Sequence, residues 1–294
     1  MAVYISPLTE GFGASATGFS IRDGLSESDF RDIELALNAY GVLVMPDQPL
    51  DDEAQVAFSE RLGPLEETLV GAVGAGSKIV RVANVLPDGT LKDPDSQQAL
   101  FTRANFLWHT DSSFKATPAK YSMLSARELP RAGGGDTEFV STAAAYDALS
   151  PDEQALADRL IAIHSIAWSR EKFAPGASSE EQRRRLPPVP QALVRTNPMT
   201  GRKSLHIASH VMGFEGMSDA EGQALHDAWL ERATAPDRIY RHRWSPHDAI
   251  IWDNRATMHR ATPYDETGDR RIMIRTTISD FGPTVRDGAI VEAA

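Results

Sequence analysis

The chain has 294 residues, 30 Lys and Arg against 41 Asp and Glu for a formal net charge of −11, and no cysteine. The missing cysteine excludes disulfides, thiolate-bound zinc, iron–sulfur clusters and a thiol nucleophile, leaves His and carboxylate as the ligands for any metal, and fits a reducing cytoplasm. The acidic balance without a long basic run excludes a general nucleic-acid binder, and no stretch approaches the ~20 apolar residues of a membrane span. The residues from Met1 to Pro7 lack the basic-then-apolar order of an export signal, so the expectation is a cytoplasmic enzyme acting on a small molecule.

No internal repeat is present. Ser26, with Asp29 three residues on, opens a helix over 27–40 that places Phe30, Ile33, Leu37 and Tyr40 near one face and closes at Gly41. Val42–Met45 reads as a buried strand stopped by Pro46, residues 51–62 as a second helix ending at Gly63, and Ile79–Ala83 as a short strand. Further on, Tyr121–Ala126, Thr137–Val140, Ala192–Arg195, Ser204–Ala208, Arg238–Trp244, Ala249–Trp252 and Arg271–Ile278 read as strands with turn residues between them. Two capping boxes, Ser150 with Glu153 and Ser218 with Glu221, start helices, the first reinforced by Pro151. Residues 168–190, with Gly176, three consecutive Arg and Pro187-Pro188, read as a mobile loop carrying a short helix: a lid or a surface insertion. The pattern is mainly β with flanking helices, a sandwich or barrel rather than a doubly wound sheet.

Eight histidines are spread over the chain, of which His226, inside a helix, and His247, in a turn, read as packing or surface residues. His109-Thr-Asp111 differs, because residues i and i+2 of an extended segment point the same way, so an imidazole and a carboxylate can converge on one ion. His259, 150 residues later and just after the hairpin-like 249–254 segment, is the candidate third ligand. Two His and one carboxylate on one face form the facial triad of non-haem Fe(II) oxygenases, with positions open for O2 and an organic cosubstrate, whereas zinc tends towards four-coordination and hydrolysis. A dianionic 2-oxo acid on such a site calls for a guanidinium, and Arg271 and Arg275, four apart, fall on one face of a strand. A solvated basic edge strand would show the same arginines.

Four segments taken together carry a resemblance: 105–114 (Asn-Phe-Leu-Trp-His-Thr-Asp-Ser-Ser-Phe), 134–139 (Gly-Gly-Asp-Thr-Glu-Phe), 252–260 (Trp-Asp-Asn-Arg-Ala-Thr-Met-His-Arg) and 270–275 (Arg-Arg-Ile-Met-Ile-Arg). The chain resembles the taurine dioxygenase-like family of Fe(II)/2-oxoglutarate enzymes over about residues 3–280, and within it the branch acting on aryloxyacetates, through residues 121–126, 144–149, 193–196 and 240–244. The resemblance implies one domain over 1–294 with a double-stranded β-helix, or jelly roll, and Fe(II), 2-oxoglutarate and O2 as metal and cosubstrates. It implies His109, Asp111 and His259 as iron ligands, Thr137 and Arg271 as the 2-oxoglutarate contacts, and Arg275, Asn105 and His210 on the substrate side. Phe114, Met123 or the 168–190 segment would supply the aromatic pocket. The implied reaction hydroxylates the carbon between the ether oxygen and carboxylate of an aryloxyacetate, yielding a phenol and glyoxylate with succinate and CO2. A sulfonate or alkyl sulfate is the alternative substrate, and a zinc hydrolase or a jelly roll with a structural metal the remote one. A homo-oligomer is expected. One departure stands out: where the aryloxyacetate branch has a lysine near its pocket, this chain reads Glu67-Thr-Leu-Val-Gly-Ala72, with Lys78 the first base.

Overall fold

The computed structural model describes residues 2–68 and 76–291, so Leu69–Ala72 of that departing segment lie outside the described residues. A hairpin of β1 (Tyr4–Thr9) and β2 (Phe12–Thr17) precedes α1 (Glu27–Tyr40), β3 (Val42–Met45), α2 (Asp52–Glu60), β4 (Val80–Ala83) and α3 (Gln97–Arg103). Next come β5 (Ala119–Glu128), β6 (Thr137–Ser141), α4 (Thr142–Asp147), α5 (Pro151–Ala157), β7 (Ile161–His164), α6 (Ile166–Phe173) and α7 (Glu180–Arg185). The remainder runs through β8 (Val189–Ala192), β9 (Val194–Thr196), β10 (Lys203–Leu205), β11 (Val211–Phe214), α8 (Asp219–Ala233), β12 (Tyr240–His242), β13 (Ala249–Asp253), β14 (Thr257–Ala261) and β15 (Ile272–Ser279).

Seven strands form the major sheet in the order β1-β2-β3-β13-β5-β15-β4, and β12-β6-β14, β11-β7-β8 and β10-β9 form smaller ones. Both faces of the major sheet are covered, and the alternation of side chains explains why β3 and β13 read as continuous apolar runs. Leu43, Met45, Tyr121, Met123, Ala249 and Ile251 pack outward against Ile33 and Leu37 of α1 and Phe58 of α2. Val42, Val44, Leu124, Ile250 and Trp252 face inward, where they meet Phe139 of β6, so the small sheet closes the jelly roll over this inner core. A third cluster, with Trp108, Met258, Leu193, Leu205 and Trp229, packs α4 and α8 against the lower strands.

The helix starts follow their caps: Ser26 accepts from the Asp29 amide, and both capping boxes close. The strand expected over Ala192–Arg195 is two strands, β8 and β9, parted at Leu193, whose side chain is buried in the lower core. The one expected over Ser204–Ala208 is β10, ending at Leu205, because its partner β9 is only three residues long. The strand expected from Arg238 starts at Tyr240, since Pro236–Arg238 forms a 3-10 turn. Residues 168–190 hold two helical segments, the end of α6 and all of α7, rather than a loop with one. Their junction is tied by Glu171, whose carboxylate accepts from the Gly176 and Ser178 amides and from Arg183.

A buried polar network pins the turn between β13 and β14. Arg255 donates to both oxygens of Asp253 at 2.9 and 2.8 Å and reaches Asn38 and Tyr121, all four being buried. Removing one partner of such a pair strands the other charge. Asp253→Ala is therefore expected to destabilise the fold by about 3–5 kcal/mol, measured as a lowered denaturant midpoint, and a midpoint unchanged from the parent would show that the pair contributes little.

Candidate active site

The site is assembled where three remote segments meet. His109 and His259 oppose each other in an isolated antiparallel bridge, exchanging backbone hydrogen bonds of 3.0 Å (His109 N to His259 O) and 2.8 Å in return. Their rings lie 4.2 Å apart between centroids. His259 is held in register by β14 pairing with β6, where it sits opposite Phe139. Asp111, two residues after His109, points to the same side, while Thr110 between them turns away and donates to the Asn254 carbonyl at 2.7 Å. The result is a buried cluster in which one ligand atom from each of His109, Asp111 and His259 lies within 4.8 Å of the others.

The donor set suits a divalent metal. His109 donates from Nδ1 to the Leu107 carbonyl at 2.8 Å, and since a carbonyl only accepts, its Nε2 carries the free lone pair. Burial pushes the His109 imidazole down to about 4, so it is neutral near pH 7, as a ligand must be. Burial works to raise the Asp111 carboxyl, but Arg275 first, then His259, His109 and the Ser122 hydroxyl, hold it well below the usual carboxylate range. Asp111 accepts from Ser122 at 2.8 Å through Oδ2 and from Arg275 at 2.6 Å through Oδ1.

Asn254 orients this group. Its amide oxygen accepts from the Asp111 backbone at 3.1 Å and the Trp252 indole at 3.0 Å, and its amide nitrogen donates to Ser122 at 2.9 Å. Sequence reasoning missed both Asn254 and Ser122 as positioning residues. Asn254 stood inside the motif that carries His259, which was the available signal; Ser122 looked like any strand serine.

Beside the cluster lies a cavity of about 410 Å³ whose wall includes His109, Asp111, Arg275, His210, Asn105 and Phe114. Arg275, Asn105 and His210, expected on the substrate side, and Phe114, a candidate for the aromatic pocket, all line it. His210 bonds Ser113 through Nδ1 at 3.0 Å, and its Nε2 is buried without a partner. Met123 does not reach this cavity; its place on β5 turns it outward against α1 and α2, and Phe101 of α3 and Ile166 of α6 supply the apolar wall instead. Arg170 of α6 joins them from the 168–190 segment expected near the pocket, although nothing local singled out this residue within it. Lys78 is paired with Glu60 at the rim.

Arg271 opens into an adjoining cavity of about 50 Å³, and Asn105 lines both spaces. The Arg271 guanidinium is 5% exposed, has no carboxylate partner among the described residues, and bonds only the Gly135 carbonyl, at 2.9 and 3.2 Å. Gly135 has φ +66°, and a Cβ there would lie 2.7 Å from Arg271 Nε, so a glycine is needed for the approach. Thr137 is buried on β6, where its hydroxyl accepts from Trp244 Nε1 at 3.0 Å; it borders neither cavity in this conformation.

The chain is 39% identical over 285 residues to the alpha-ketoglutarate-dependent 2,4-dichlorophenoxyacetate dioxygenase of Cupriavidus pinatubonensis, covering 95% of this chain and 99% of the relative. It is 38% identical to the (S)-phenoxypropionate/alpha-ketoglutarate-dioxygenase of Sphingobium herbicidovorans, over 94% of each chain. The crystal structure of AAD-2 in complex with Mn(II) and N-oxalylglycine superposes with a TM-score of 0.89 at 39% identity, covering 98% of this chain and 100% of that one. The model of the taurine catabolism dioxygenase TauD, TfdA family matches residues 5–277, and the chain belongs to that family of dioxygenases.

Proposed function

We propose that the protein is a cytoplasmic Fe(II)- and 2-oxoglutarate-dependent dioxygenase, one domain over residues 1–294 and homo-oligomeric, that cleaves aryloxyacetates such as 2,4-dichlorophenoxyacetate to a phenol and glyoxylate. The observation that carries this reading is a two-His, one-carboxylate cluster whose His109 and Asp111 line one cavity together with the Arg275 guanidinium and a wall of Phe101, Phe114 and Ile166. His109, Asp111 and His259 would hold the iron, which with 2-oxoglutarate and O2 supplies the oxidising equivalents for C–H hydroxylation while the cosubstrate leaves as succinate and CO2. Arg271, buried without a counter-charge among the described residues, receives the distal carboxylate of 2-oxoglutarate, and Thr137, whose hydroxyl accepts from Trp244, offers its own proton to the same cosubstrate. Arg275 gathers the anionic end of the substrate, with Asn105 and His210 beside it, and the aromatic wall covers the ring. These groups fix the reacting carbon and exclude water; the chain supplies position rather than reactivity. Residues 168–190, of which Arg170, Ala177, Ser179, Glu181 and Gln182 line the cavity, act as its lid.

Succinate and phenol release by the anaerobically Fe(II)-loaded protein, given 2-oxoglutarate and then O2, tests the reading. Substrate-dependent succinate with an equal amount of 2,4-dichlorophenol is expected. Slow succinate without phenol, accompanied by sulfite or sulfate from a sulfonate or alkyl sulfate, would replace the substrate class, and no consumption of 2-oxoglutarate would overturn the dioxygenase reading itself.

A further inference from the structure

Of the three arginines that line the cavity, Arg81, Arg170 and Arg275, Arg170 is the one that is buried with no carboxylate in ion-pair contact among the described residues. Arg170 is 5% exposed, its NH2 donates to Asn105 Oδ1 at 3.1 Å, and its Nε and NH1 are buried without any acceptor. Its guanidinium carbon lies 4.6 Å from the centroid of the Phe101 ring, a cation–π contact at the cavity wall. Other buried arginines are matched to acids: Arg255 to Asp253 and Arg195 to Asp280. The exception besides Arg170 is Arg271, the residue assigned above to an incoming carboxylate. A buried cation with unused donors is costly unless an anion arrives to meet it.

Arg275 leaves room for such a partner. Its NH1 is committed to Asp111 Oδ1 at 2.6 Å, so part of its charge is spent on a metal ligand. Burial and the neighbouring Arg275 push Arg170 down to about 10, which leaves it charged at neutral pH.

We propose that Arg170 is a substrate-binding residue, which together with Arg275 forms a two-guanidinium receptor for the carboxylate of the aryloxyacetate, with Phe101 supporting the Arg170 plane and Asn105 fixing its angle. The inference rests on the aryloxyacetate reading and adds the residue that makes the site select an acid. Its position on α6 couples recognition of the anion to the segment that walls the cavity.

Calorimetric titration of the anaerobic protein, loaded with Fe(II) and 2-oxoglutarate, tests this with phenoxyacetate and its neutral isostere phenoxyacetamide as probes. In Arg170→Gln, phenoxyacetate affinity is expected to fall about 10- to 100-fold, the loss of a charge-assisted contact. Amide and 2-oxoglutarate affinities should stay within about threefold, and Arg170→Lys, which keeps the charge without the planar fork, should recover part of the loss. Equal weakening of acid and amide would mean that Arg170 only shapes the wall, and unchanged acid affinity would remove it from recognition; either overturns the proposal. A parent protein that binds 2-oxoglutarate but neither probe would overturn the substrate reading, and this proposal with it.

Discussion

Asp111→Ala is expected to lower the affinity for Fe(II) or Mn(II) by more than about 100-fold and to abolish turnover, because residues that merely support a ligand are already worth 10–100-fold. Asp111 is the one anionic member of the cluster, and both of its oxygens are used: Ser122 holds Oδ2 and Arg275 holds Oδ1. Its removal takes the negative charge from the metal and leaves Arg275 facing the ion unscreened. Ser122→Ala, which keeps the carboxylate but frees its orientation, should cost about 10-fold. Metal titration by calorimetry reads both variants, and a parent-like affinity in Asp111→Ala would show that these three residues are not the metal centre.

The second large effect separates the two arginines. Arg271→Met is expected to weaken 2-oxoglutarate, or N-oxalylglycine, by about 10- to 100-fold while leaving metal affinity unchanged, since the lost contact is one charge-assisted pair in a buried site. The side chain is apolar and of similar length, so the fold retains its packing; only the carbonyl of Gly135 loses a donor. Arg275→Met should do the reverse, raising KM for the aryloxyacetate strongly with 2-oxoglutarate affinity retained. It should also weaken the metal modestly, because Asp111 loses a partner. Equilibrium binding of N-oxalylglycine to the Mn(II)-loaded variants distinguishes the two, and equal losses in both would sink the assignment of separate carboxylate sites.

The parts of the fold that could be read in advance are those fixed by neighbours in sequence. The helices α1, α5 and α8 announce themselves because a Ser side chain caps an amide three residues on, and β3 and β13 because an apolar run of four or five residues between turns has few alternatives to a buried strand. Apart from α5 and the single short helix expected within 168–190, the short helices were not legible. α3, α4 and α7 have seven, six and six residues, too few for an apolar period to emerge, and α7 is held by its capping box and by an Arg185–Glu181 pair rather than by a buried face.

The site divides along the same line. His109 and Asp111 share a side because of an i, i+2 spacing, and the order of the motifs pointed to His259, Thr137, Arg271 and Arg275, so sequence and family resemblance together nominated the candidate residues. Their distances were not. That His109 and His259 exchange backbone hydrogen bonds, that Asn254 ties Ser122 to Asp111, that Arg271 opens into a cavity beside the one reached by Arg275, and that Arg170 is buried with unused donors are facts of the tertiary structure. Each depends on contacts between segments remote in sequence, whose geometry is set by sheet register and by packing of the inner core, and neither composition nor local spacing encodes which donors remain unanswered once the chain has closed.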